Sequence, residues 1–266
     1  AGSNAMMKPL RLCRKMPVKI TIDGKKVEAK RWDTVLTAAR RAGIAIPSLC
    51  QLDSLENVGA CRLCMVEVNH PHWRGAKLVT ACEYPVESGL EVITTSEEVL
   101  RLRRANLDLL LARAPESRRL QQMSAEMGLE QSGYVRPDKG TACILCMLCT
   151  RVCEKLGCNA IAPAGRGLDK RIDTPFGGYP DTCIGCGACA AICPVDCIEM
   201  TDTAKTRTIW GRTFEFVKCA ECGTPVITVE YRDYAIAHRS LPADYYNECS
   251  DCKRRKLAVK FAKVGG

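Results

Sequence analysis

Val18, Ile20 and Ile22 alternate with polar residues, the two-residue period of a half-buried strand. Asp23-Gly24 supplies the pair that a tight hairpin needs, and the spacing predicts a return strand over residues 26–30. Asp33 or Thr34 can cap a helix that stops at Gly43. Beyond Pro47 an extended loop leads to Cys50, and the pattern reads as strand again over residues 64–68 and 78–82. Residues 94–113 read as a helix. Ser96 caps it, Glu97 and Glu98 complement its positive end, and Leu100, Leu107 and Leu111 are expected on its buried face. A second short helix is expected around Leu120, Met123 and Met127, with the methionines as core packing. Past Met200, the positions of Ile209, Trp210, Phe214 and Phe216 predict a hairpin, and residues 226–229 and 231–235 read as strands.

These short elements bury little by themselves. The chain has 266 residues, 5% aromatics and 19 cysteines, which points to small domains built around metal sites rather than one large apolar core. The densest run reads C-x2-C-x2-C-x3-C at Cys143, Cys146, Cys149 and Cys153, and it repeats at Cys183, Cys186, Cys189 and Cys193, followed by Pro194. This is the spacing that holds paired 4Fe-4S clusters, in which the fourth cysteine of each run ligates the other cluster. One cluster is therefore assigned to Cys143, Cys146, Cys149 and Cys193, and the second to Cys153, Cys183, Cys186 and Cys189. Two zinc sites are the weaker alternative, because zinc sites favour paired cysteines over four in a row. Cys158 and Cys197 follow the two runs; they are read as small buried residues in preference to reserve ligands.

Upstream, strand, hairpin, strand, helix and cysteine loop follow in the order that opens a β-grasp ferredoxin. The cysteines are spaced Cys50-x10-Cys61-x2-Cys64-x17-Cys82, with Gly59 just before the pair, where backbone amides must come close to a cluster. The ten-residue first gap departs from the plant-type spacing. It resembles instead the 2Fe-2S domain of the large iron-sulfur subunit of NADH dehydrogenase (complex I) and its hydrogenase relatives. A T-P-F-G element at residues 174–177, just before the second C-x2-C-x2-C-x3-C-P run, sharpens that resemblance. It extends to the small diaphorase subunit of NAD-reducing hydrogenases and the N-terminal part of iron-only hydrogenases, and covers residues 18–200. The resemblance implies a 2Fe-2S cluster on Cys50, Cys61, Cys64 and Cys82. It also implies an electron wire between a flavin-bearing NAD(P)H subunit and a second redox partner or ferredoxin.

Two departures stand out. Residues 69–77 read as a loop insertion; His70, Pro71, His72 and Trp73 in it are taken as an exposed loop rather than a docking tip or metal site. No His or Cys lies between Cys82 and Cys143, so the cluster that the family holds there with one histidine and three cysteines cannot form. No catalytic hydrogenase cysteine region follows either.

At the C-terminal end, Cys219-x2-Cys222 and Cys249-x2-Cys252 stand 26 residues apart, the paired-knuckle layout of a zinc ribbon, with rubredoxin-like iron as the alternative. His238 between them is not needed as a ligand. The formal charge is +9, and the run Lys253-Arg254-Arg255-Lys256 invites a nucleic-acid reading. Four tetrathiolate sites contribute about −8 and bring the holoprotein to about +1, so the basic excess balances cofactors and no nucleic-acid partner is expected.

The expected architecture is α+β. Residues 1–15 are read as an expression scar (Ala1–Ala5) and basic tail carrying a lone Cys13. A β-grasp 2Fe-2S domain follows over 16–95, a helical linker without a cluster over 96–140, a two-cluster 4Fe-4S ferredoxin domain over 141–205, and a zinc-ribbon-like domain over 206–266. No apolar run spans a membrane and no signal peptide is read, so the cysteines are placed in a reducing, cytoplasmic setting. No G-x-G-x-x-G follows a strand, no P-loop is present, and residues 184–189 (IGCGAC) form a cluster loop. No catalytic residues are found. The expected function is a non-catalytic electron-transfer subunit of a multisubunit, flavin-containing oxidoreductase, with electron bifurcation left open. The alternatives are a free-standing polyferredoxin and, behind it, a redox-sensing zinc-ribbon regulator.

Overall fold

The structure is a computed structural model that describes residues 17–129, 132–134 and 142–262; Ala1–Ala5 and Cys13 lie outside the described residues. It divides into two compact units, residues 1–140 and 141–266.

In the first unit, β1 (Pro17–Ile22) and β2 (Lys25–Lys30) form the expected hairpin. Asp23 and Gly24 both take positive φ, and the Asp23 carboxylate accepts the N–H and hydroxyl of Thr94 at 2.7 Å. That contact ties the turn to the end of β5 (Glu91–Ile93). With β3 (Met65–Asn69) and β4 (Lys77–Thr80) they make a mixed five-stranded sheet in the order β2-β1-β5-β3-β4, parallel only between β1 and β5. Thr34 caps α1 (Val35–Arg41) through Thr37 N–H. Ile20, Ile22, Val27, Leu36, Val66, Val68 and Val92 form one core, and Cys64 and Cys82 are buried in it.

α2 (Glu97–Arg113) starts at the expected Ser96 cap, and α3 (Arg118–Glu126) buries Leu120 and Met123. The buried face of α2 differs from the expectation. Leu100 is 38% exposed, and Val99, Arg103, Leu107 and Leu111 face inward. These four are spaced four apart, which is one helical stripe. Arg103 is 5% exposed, and its Nε and Nη2 both donate to the Met65 carbonyl, at 3.0 and 2.7 Å. Burial pulls its pKa down while Cys64 and Asp23 push it back up. Arg103→Met keeps the aliphatic stem but leaves that carbonyl without its donor. It is expected to destabilise the first unit by about 1–3 kcal/mol in urea unfolding of the full chain, followed by visible absorption.

In the second unit, α4 (Leu148–Lys155) and α5 (Ala188–Ala191) each follow a cysteine loop, and β6 (Ala162–Ala164) pairs with β7 (Arg171–Asp173) between the two runs. A four-stranded sheet, ordered β11-β10-β9-β8, is built from β8 (Met200–Asp202), β9 (Thr206–Ile209), β10 (Arg212–Lys218) and β11 (Pro225–Thr228). The β8–β9 turn spans the boundary expected at residue 205.

Residues 231–235 are not a strand: they belong to α6 (Val229–Arg239), capped by Thr228 through Tyr231 N–H. The physical reason is the spacing of Tyr231, Tyr234, Ala235 and His238, which is helical. Tyr234 and His238 stack with centroids 4.1 Å apart, and Ala235 is fully buried. α7 (Ser250–Ala262) ends the described chain and buries only Cys252; Leu257, Val259 and Phe261 are exposed.

Candidate iron-sulfur and metal sites

Cys50, Cys61, Cys64 and Cys82 are all buried at the sheet end of the loop that follows α1. Gly59 and Arg62 turn this loop with positive φ. Leu49 N–H donates to Cys61 Sγ and Cys61 N–H to Cys50 Sγ, each at 3.4 Å. Hydrogen bonds from the Cys61 and Cys82 thiols hold the Cys50 thiol far below its ordinary value, and Cys61 and Cys82 are pushed up in return. Cys50 is thus hydrogen-bonded to Cys61 and Cys82, and Cys64 to Cys82. Such a set suits a cationic core that replaces those protons.

The insertion at residues 69–77 forms the β3–β4 loop, and it is more anchored than expected. His70 Nε2 lies 3.0 Å from the Ser88 carbonyl, and Trp73 is half-buried against the core with Lys77 Nζ 4.1 Å from its ring centre.

The second unit holds two neighbouring cavities. Cys143, Cys146, Cys149 and Cys193 line one, together with Cys197. Cys153, Cys183, Cys186 and Cys189 line the other, together with Cys158. The runs are therefore crossed: the last cysteine of each opens onto the cavity of the other run. The two loops are also built alike. Leu145 and Met147 in the first, and Gly185 and Gly187 in the second, take positive φ, and the amides of Leu145 and Gly185 donate to Cys143 and Cys183 Sγ at 3.4 and 3.5 Å.

Gly185 has a further reason to be glycine, since a Cβ there would lie 2.6 Å from Phe214 Cγ. Burial pushes the Cys149 thiol up to about 12 and the Cys189 thiol up to about 11. As free groups they stay protonated; a cationic cluster core would supply the positive charge that their thiolate forms lack.

Cys158 is a buried residue, as expected. Cys197 is half-buried, and its Sγ is 3.5 Å from Cys193 Sγ. It also hydrogen-bonds Cys143, so a fifth thiol stands among the four.

The Sγ atoms of Cys219, Cys222, Cys249 and Cys252 lie within 4.8 Å of one another. Cys249 N–H donates to Cys219 Sγ at 3.3 Å, and the two knuckles are joined by Ala220 N–H on the Asn247 carbonyl at 2.8 Å. The second knuckle opens helix α7 rather than a strand hairpin. The basic run is engaged within this site. Arg255 Nη2 donates to Cys252 Sγ at 3.0 Å, Lys256 Nζ bridges Glu221 and Glu248, Arg254 pairs with Asp251, and Lys253 reaches the Tyr245 carbonyl.

Residues 15–97 match the 2Fe-2S iron-sulfur cluster binding domain, and residues 179–199 match the 4Fe-4S binding domain. The NADPH-Fe(3+) oxidoreductase subunit alpha of Geobacter sulfurreducens is 32% identical over 231 residues, covering 78% of this chain and 27% of that protein. The mitochondrial NADH-ubiquinone oxidoreductase 78 kDa subunit of Candida albicans is 31% identical over 183 residues, covering 59% of this chain and 25% of that protein. A chain from the crystal structure of an NAD+-reducing NiFe-hydrogenase in the H2-reduced state is 30% identical with a TM-score of 0.60, covering 68% of this chain and 86% of that one.

The chain belongs to this family of iron-sulfur subunits. It spans about a quarter of the length of the curated relatives it matches. The 2Fe-2S match spans Cys50, Cys61, Cys64 and Cys82, and the 4Fe-4S match spans Cys183, Cys186, Cys189 and Cys193. Among the residues of this iron-sulfur subunit, sequence reasoning passed over Arg103, whose signal was the four-residue spacing with Val99 and Leu107. It also named Trp210 only as part of a hairpin. Trp210 lines both 4Fe-4S-domain cavities, a placement that no local pattern encodes.

Proposed function

We propose that this chain is the electron-transfer subunit of a multisubunit, flavin-containing, NAD(P)H-linked oxidoreductase, relaying electrons between a flavin subunit and a second redox partner. The observation that carries the reading is the pair of crossed, cysteine-lined cavities that share Trp210. Cys50, Cys61, Cys64 and Cys82 are proposed to hold a 2Fe-2S cluster. Cys143, Cys146, Cys149 and Cys193 would hold one 4Fe-4S cluster, and Cys153, Cys183, Cys186 and Cys189 a second. The clusters supply one-electron redox capacity when bound. The chain's own residues hold the sulfurs, aim backbone N–H groups at them, and exclude water with Ile144, Val195, Ile184 and Ile209.

Cys219, Cys222, Cys249 and Cys252 would hold zinc as a structural site, rubredoxin-like iron being the alternative. The 2Fe-2S domain is taken over 16–95, the cluster-free linker over 96–140 and the 4Fe-4S domain from 141, with the four-thiol domain closing the chain. Leu168, Phe176 and Tyr179 stand exposed in one segment between the cysteine runs, which favours a standing partner over a free carrier. Among the described residues no helix is long and apolar enough to cross a membrane, and a cytoplasmic setting is proposed with the thiol chemistry.

Anaerobic affinity purification from the source organism tests the reading. A stoichiometric flavin and NAD(P)H subunit is expected alongside, with about ten iron and one zinc per chain. Recovery of this chain alone, fully loaded with iron, would replace the subunit reading by a soluble carrier.

A further inference from the structure

The hairpin β9–β10 turns at Trp210 and Gly211, both with positive φ (54° and 71°). A left-handed tryptophan is uncommon, because its Cβ crowds the backbone, and it persists only where surrounding contacts over-determine it. Those contacts are visible. Ile209 and Phe214, flanking the turn, are buried. Arg207 Nη1 donates to the Gly185 carbonyl at 3.1 Å, Arg212 Nη1 donates to the carbonyls of Pro180, Asp181 and Cys183 at 3.0–3.2 Å, and Thr228 Oγ1 donates to the Ile184 carbonyl at 2.5 Å. Both strands of the hairpin and the neighbouring β11 are thus sewn to the loop that carries Cys183 and Cys186.

The result of this anchoring is one side chain in two places. The indole lines the cavity of Cys189 and the cavity of Cys143, and its Nε1–H donates to Cys189 Sγ at 3.5 Å. The contact is unsymmetrical, because the indole N–H reaches a sulfur of one cavity only. An N–H on a cluster-ligating thiolate withdraws charge and stabilises the reduced form. The geometry points to Trp210 as the positioning residue that sets the order of the two 4Fe-4S potentials, raising the site of Cys189 relative to the site of Cys143. No bond forms or breaks, and the indole keeps its proton. The inference rests on the ligand reading under Proposed function.

The test is an EPR-monitored redox titration of the anaerobically purified full chain, as wild type and as Trp210→Phe, which keeps an aromatic ring and loses the N–H. One 4Fe-4S midpoint is expected to fall while the other stays, at unchanged iron content. Two unmoved midpoints in the variant overturn the role of Trp210. A wild type without two 4Fe-4S signals overturns the ligand reading instead, and this inference with it. Should Trp210→Phe fail to hold its iron, wild-type protein grown with indole-15N tryptophan decides. Hyperfine coupling from the indole nitrogen to one reduced 4Fe-4S cluster supports the assignment, and no coupling overturns it.

Discussion

Cys153→Ala is expected to remove about four iron atoms, and to remove them from the cavity of Cys183, Cys186 and Cys189 rather than from that of its neighbours in sequence. The reason lies in α4, which carries both Cys149 and Cys153. Four residues along a helix return the side chain to nearly the same face but about 6 Å further along the axis. That offset is enough for Cys149 to line one cavity and Cys153 the next. Cys189 and Cys193 also line different cavities, although α5 ends at Ala191 and Cys193 lies two residues beyond it.

The check is iron analysis with EPR of the reduced protein for three variants. Cys153→Ala and Cys186→Ala should leave the same residual 4Fe-4S spectrum, and Cys146→Ala a different one. If Cys153→Ala instead matches Cys146→Ala, the crossed assignment is wrong. Cys158 lines the same cavity as Cys153, so a variant that keeps its full iron is to be compared with the Cys153→Ala/Cys158→Ala double variant. Iron lost only in the double variant would make Cys158 the stand-in ligand and leave the crossing intact.

The cysteine runs were legible because metal-ligand spacing is a local constraint written directly into the chain. The same holds for the Asp23-Gly24 turn and the Thr34 and Ser96 caps, where a few adjacent residues decide the backbone. What escaped was decided by contacts distant in sequence. Arg103 reads as a surface charge until β3 offers it the Met65 carbonyl, and only then does its place in the inward stripe outweigh its polarity. Residues 231–235 carry tyrosine and isoleucine close by and passed for a strand, but the Thr228 cap and the stacking of Tyr234 on His238 select the helix. Cys197 gave no spacing signal for its position beside Cys193, because the chain reverses between them rather than running on in a regular element.

Removing the metal from Cys219, Cys222, Cys249 and Cys252, by a strong chelator or by Cys252→Ser, is expected to melt α7 while the 4Fe-4S domain keeps its visible absorption. α7 has thirteen residues, a length at which an isolated helix is marginal in water. It buries only Cys252, and its Leu257, Val259 and Phe261 are exposed among the described residues. The ion pairs of Lys256 with Glu221 and Glu248 are half-exposed, and pairs of that kind contribute little. Bonds from a metal to the four thiolates would therefore be the main fastening of the helix.

Acid should act in the same direction. The backbone N–H groups of Cys249 and Cys222 hold the Cys219 thiol down at about 6, so the thiolate is favoured at neutral pH. Its hold on the metal is present above the ordinary thiol range and weakens as pH falls through about 6. The sheet behind it should survive, because Ile209 and Phe214 are buried and Arg212 is bonded to three carbonyls of the cysteine loop. Trypsin provides the measurement, since Lys253, Arg254, Arg255, Lys256 and Lys260 all lie on α7. Cleavage there should accelerate roughly tenfold or more on metal removal, with residues 200–218 still protected from hydrogen exchange. An α7 that stays protected after complete removal of the metal would show that packing, not coordination, holds the end of this chain.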